Sequence, residues 1–118
     1  MSETLGRDSE RTFCLTRGEV SLFLTDFGGS GAPVLLLHGL AGSSRELRDT
    51  AQELSGTYRV ILMDQRGHGR STRRPSDLSR DAFVADVEFV LENVLKSDPC
   101  ALIGQSMGAH TAFLTAAK

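Results

Sequence analysis

The chain has 118 residues and a mass of 12.7 kDa, with 13 Lys+Arg against 15 Asp+Glu and a formal net charge of -2. So even a balance offers no basic field for nucleic acid or anionic lipid, and no apolar run reaches the ~20 residues that a membrane span requires. Hydrophobic residues at 40% and charged residues at 24% exclude wholesale disorder.

Met1 to Arg11 is polar and charged and reads as a disordered, solvated terminus. It has no apolar core of the kind a secretory signal carries, which points to a cytoplasmic chain. Cys14 and Cys100 lack metal-ligand spacing, so no metal site is expected, and both read as reduced, small core side chains. Residues 12–118 then read as one unit. Thr12–Thr16 and Val20–Thr25 alternate loosely between apolar and polar residues and predict an antiparallel hairpin with one wet face. Gly28-Gly29-Ser30-Gly31 breaks the chain. Val34–Leu37 is a continuous apolar run, the pattern of a strand covered on both faces.

Ser43-Ser44-Arg45-Glu46 fits a capping box, and Leu47, Ala51 and Leu54 follow at helical spacing before Gly56. Tyr58–Met63 predicts a second buried strand, opening onto the loop Asp64–Ser71. Ser79 is placed to cap a longer helix in which Phe83, Val87, Val90, Leu91 and Val94 share one face, with Asp86, Glu88 and Glu92 assigned to the solvated side. Pro99 stops that helix, Cys100–Ile103 predicts a third buried strand, and a small-residue helix runs on to Lys118. Strands alternating with helices predict an α/β fold: a mostly parallel sheet, helices on both faces, and an antiparallel hairpin at its start.

The informative loops all follow the carboxyl ends of predicted parallel strands, the edge where open α/β sheets bind ligands. Gly104-Gln105-Ser106-Met107-Gly108 is a G-x-S-x-G between a strand and a helix. A nucleophilic serine needs a tight turn with no side chains two residues to either side, which glycine permits. The helix after it would aim unpaired N–H groups at a developing oxyanion. Leu37-His38-Gly39-Leu40 could turn the Leu40 N–H toward the same point, with His38 below it on backbone hydrogen bonds; the dipeptide is equally an ordinary strand exit. In Asp64–Ser71, Asp64 is expected to cap backbone N–H groups, Arg66 to pair with a carboxylate and His68 to organise the loop. His110 reads as a packing histidine.

Taken in this order and spacing, HG after one strand, D-x-R-G-H-G-x-S after the next and G-x-S-x-G after the third closely resemble the N-terminal half of the α/β-hydrolase fold superfamily. The likeness covers residues 12–118 and is to the branch with cofactor-free haloperoxidase-like esterases, lipases, lactonases and carbon–carbon bond hydrolases. The resemblance implies Ser106 as nucleophile, the N–H groups of Leu40 and Met107 as oxyanion donors, His38, Gly39, Gly104 and Gly108 as turn formers, an ester-like small-molecule substrate and no cofactor. A serine at 106 is unlike the haloalkane dehalogenase and epoxide hydrolase branches, which carry aspartate there. In the family the triad acid and histidine follow the nucleophile, whereas Met107–Lys118 offers only His110. Two expectations therefore stand: a truncated serine hydrolase that lacks its base, or a non-catalytic binding or assembly module. In either, an open sheet edge at the third buried strand would favour self-association.

Overall fold

Alternating side chains put one face of each of the first two strands against the core. They pair as β1 (Arg11–Arg17) and β2 (Val20–Asp26), antiparallel from Arg11 opposite Asp26 to Arg17 opposite Val20. The computed structural model describes residues 10–39, 42–96 and 99–117. Residues 1–9 of the segment read as a solvated terminus lie outside that set, and Arg11 already belongs to β1. The other strands are β3 (Pro33–Leu37), β4 (Arg59–Asp64) and β5 (Ala101–Gly104). They form one sheet in the order β1-β2-β4-β3-β5; β3 lies parallel between β4 and β5, and the hairpin joins antiparallel through β2 on β4.

Because successive residues of a strand face opposite ways, the run Val34–Leu37 feeds two cores. Val34 and Leu36 pack with Phe27, Ala51, Val60 and Leu62 beneath α1 (Arg48–Leu54). Leu35 and Leu37 pack on the other face with Leu22, Leu24, Ile61 and Met63. That side is closed by Val87 and Val90 of α2 (Arg80–Asn93) and Ala112 of α3 (Met107–Ala116). Each fully buried leucine contributes about 2 kcal/mol. This explains why β3 and β4 carry no polar alternation.

Several expectations are corrected. Ser43 occupies the N-cap but makes no side-chain cap bond, and a 3-10 turn, Ser44–Leu47, precedes α1. Ser79 does cap α2, its hydroxyl oxygen accepting the Ala82 N–H at 3.2 Å. β5 is not covered on both faces. Ala101 and Ile103 are exposed because β5 pairs with β3 on one side and, among the described residues, with no strand on the other. Cys14 is exposed rather than in the core, and Cys100 is half-buried. Asp86, assigned to the solvated side of α2, is fully buried; a buried cation explains it below.

Candidate active site

The β5–α3 junction is a tight turn. Its backbone is tied to β3 by the Gln105 N–H, which donates to the Leu37 carbonyl at 3.0 Å. Ser106 sits at φ 54° and ψ -113° and is exposed, at the N-cap position of α3. Positive φ at a non-glycine residue costs of order 1–3 kcal/mol and persists where the surroundings force it. Here the surroundings are the two flanking glycines. A Cβ on Gly104 would overlap the Gly108 carbonyl group, and one on Gly108 would overlap the Leu37 and His38 carbonyl oxygens. In the first turn of α3 the Gly108 and His110 amides are taken, by the Gln105 carbonyl at 2.9 Å and the Ser106 carbonyl at 3.1 Å. The Met107 N–H is left without a partner among the described residues.

At the exit of β3, His38 is fully buried, and both its ring nitrogens are used. Nε2 accepts the Gln65 main-chain N–H at 2.9 Å, so the ring proton lies on Nδ1 and is donated to the Gly39 carbonyl at 2.8 Å. Burial pushes the ring below its usual 6.5; the neighbouring His68 adds to this, while the Gly39 carbonyl, Asp64 and Glu46 oppose it. The Gly39 carbonyl also accepts the Gly42 N–H at 3.1 Å. A Cβ on Gly39 would lie 3.3 Å from the Gln105 carbonyl oxygen and 3.4 Å from the Ser106 Cβ, so this turn abuts the serine. Leu40 lies outside the described residues.

The third loop is internally bonded, as its sequence suggests. The Asp64 carboxylate accepts the Arg70 N–H at 3.0 Å and presses on Gly69, which takes φ 53°. Ser71 donates its hydroxyl to the Asp64 carbonyl and accepts the Phe23 N–H at 2.8 Å, fastening the loop to β2. The Arg66 guanidinium meets Asp86 through Nε at 2.7 Å and Nη2 at 2.9 Å, and donates to the Asp77 carbonyl at 2.8 Å. This pairing raises the Arg66 pKa further. Arg17 adds a third contact to Asp86 at 3.1 Å. His68 bonds back onto the loop through the Arg66 carbonyl, 2.9 Å from Nδ1.

The structure therefore brings the exits of β3, β4 and β5 together, with Ser106 at the surface and His38 below. His110 is exposed, not packed, because it lies on the outer side of α3. Two buried residues were missed in the sequence. Gln65 carries no motif signal beyond its place between Asp64 and Arg66. Asp86 was legible only as the carboxylate that Arg66 needed. Among the described residues no His/Cys/Asp/Glu group could hold a metal ion, and no helix is long and apolar enough to cross a membrane.

A strained, exposed serine thus lies between strand and helix at the carboxyl edge of the sheet, cornered by glycines and abutting an HG turn, and residues 32–118 match the family model described as alpha/beta hydrolase fold. The chain belongs to that family. It is 36% identical over 115 residues to the sn-1-specific diacylglycerol lipase ABHD11 of Danio rerio, a match covering 94% of this chain and 34% of that protein. To the 2-(acetamidomethylene)succinate hydrolase of Mesorhizobium japonicum it is 29% identical, covering 76% of this chain and 32% of the relative. Among solved structures, Cfl2 of Burkholderia cenocepacia superposes with a TM-score of 0.84 at 26% identity, over 93% of this chain and 37% of that one. The chain thus spans about a third of the length of the curated relatives it matches.

Proposed function

We propose that the chain carries the nucleophile half of a serine hydrolase acting on an ester-like small molecule. The observation that carries this is Ser106 itself: exposed, and held at φ 54° where β5 turns into α3. In the proposed chemistry the Ser106 Oγ attacks the carbonyl carbon while a general base takes its proton. The Met107 and Leu40 N–H groups hold the tetrahedral oxyanion, the leaving alcohol departs with the proton, and water releases the acyl group. Met107–Lys118 holds one histidine, the exposed His110, and no acidic residue, so this stretch supplies no histidine–acid pair to the proposed reaction. The lipase and hydrolase names of the relatives support an ester-like or related acyl substrate.

A fluorophosphonate probe tests the nucleophile. Labelling at Ser106 is expected to be slow, because no base activates the hydroxyl, and absent in Ser106→Ala; labelling that survives the substitution refutes the assignment. A p-nitrophenyl ester assay tests the missing base. Turnover is expected to be absent in the 118 residues alone, and turnover by them refutes it.

A second function, as an assembly module, is favoured by one feature. Ile103 is 43% exposed on the outer strand β5 and Phe113 is 71% exposed on the neighbouring α3. Apolar sheet edges associate. A stable oligomer by sedimentation would support this function, and a monomer at all concentrations would refute it.

A further inference from the structure

We infer that Gln65 is the positioning residue of the site, gripping His38 at two points so as to fix the Gly39 turn against Ser106. Its main-chain N–H donates to His38 Nε2 at 2.9 Å, and its side-chain Nε2 donates to the His38 carbonyl oxygen at 2.9 Å. The first bond dictates the ring tautomer; the second orients the peptide between His38 and Gly39. Both effects converge on Gly39, whose carbonyl takes the Nδ1 proton of His38 and the Gly42 N–H, and whose backbone faces the Gln105 carbonyl and the Ser106 Cβ. One residue at the exit of β4 thereby sets the geometry of a turn at the exit of β3, beside the residue proposed to attack.

Packing alone does not account for this side chain. Gln65 is 1% exposed, and its Oε1 is buried with no donor among the described residues. A buried acceptor left unmade is costly, so an apolar residue of equal length would suit a purely structural role better. What glutamine supplies and methionine cannot is the N–H to the His38 carbonyl. The charged and titratable groups around this grip are His68, whose ring centroid is 5.0 Å from that of His38, together with Asp64 and Glu46.

The labelling part of the test rests on the proposed serine nucleophile; the spectroscopic part does not. Gln65→Met keeps length and bulk, deletes the donor and removes the unpaired oxygen. Its melting temperature is expected to match wild type, while the fluorophosphonate labelling rate at Ser106 falls roughly tenfold or more, as a small misplacement of reacting groups commonly costs. The amide resonances of Gly39 and Gly42 should shift with it. Ala51→Gly, in α1 on the far face of the sheet, serves as the control: it lowers the melting temperature and leaves labelling unchanged. Labelling of Gln65→Met within about twofold of wild type, with Gly39 and Gly42 amides unmoved, overturns the inference. If wild type itself is not labelled, the amide shifts alone decide. If Gln65→Met does not fold, the ¹⁵N spectrum of the wild-type His38 ring decides. The Nδ1–H tautomer is expected, and the Nε2–H tautomer overturns the inference.

Discussion

The Arg66 guanidinium grips the Asp86 carboxylate from the loop after β4, with both side chains almost wholly buried, at 5% and 1% exposure. Removing one partner from such a pair strands a charge away from water, which costs about 3–5 kcal/mol. Asp86→Ala is therefore expected to lower unfolding stability by that amount in urea titration. The double variant Arg66→Met, Asp86→Leu should cost less than Asp86→Ala, since no buried unpaired charge remains and Arg17, which loses its contact, is 35% exposed to water. A double variant less stable than both singles would show the pair to be net stabilising.

That pair also marks where sequence was readable and where it was not. The strands β3 and β4 follow from apolar runs too long for a half-wet sheet, and the serine turn follows from glycines two residues to either side of Ser106. Asp86 lies among acidic residues at helical spacing, where it looks like Glu88 and Glu92. Nothing local separates a carboxylate facing water from one facing Arg66, which is 20 residues away in sequence. β5 read as buried for a similar reason. Its apolar composition specifies a strand, but exposure depends on which strands flank it. Gln65 was illegible because its role lies in bonds to His38, across a strand crossover.

His38 makes stability depend on pH in one direction. Burial lowers its pKa in the fold below the ordinary 6.5, so the unfolded chain binds the proton more readily. The stabilising contribution is present above the unfolded value and is lost as pH falls through the folded one. Protonated Nε2 would also confront the Gln65 N–H, donor against donor. The melting temperature is expected to decline on acidification below pH ~6.5, and His38→Asn should flatten that slope. A slope unchanged by the substitution would assign it to other groups.

Strain at Ser106 predicts a stability gain at the expense of the proposed chemistry. A residue held at φ 54° and ψ -113° costs of order 1–3 kcal/mol unless it is glycine, and glycine gives back part of that through the unfolded chain. Ser106→Gly is expected to raise stability by about 1 kcal/mol while abolishing probe labelling. A destabilised Ser106→Gly would mean that the serine side chain contributes packing or bonding that outweighs its strained backbone. Gly108→Ala should go the other way, because its Cβ meets the Leu37 and His38 carbonyls.

The outer edge of β5 supplies the last prediction. Ala101, Leu102, Ile103 and Gly104 carry no charge, and the neighbouring α3 has His110 as its one ionisable side chain. Edge strands of this composition template pairing with other chains, and a single lysine on the strand blunts it. Ile103 points outward, 43% exposed on the α1 side of the sheet and clear of both core clusters. Ile103→Lys should therefore cost little in unfolding stability while shifting the sedimentation profile toward monomer. The substitution leaves Ser106, the Gly39 turn and the Gln65 grip untouched, so labelling should persist. If association is unchanged by the charge but reduced by Phe113→Lys, contact runs through the exposed face of α3 rather than through strand pairing. That outcome would remove the sheet edge from the assembly proposal and leave the helix face in its place.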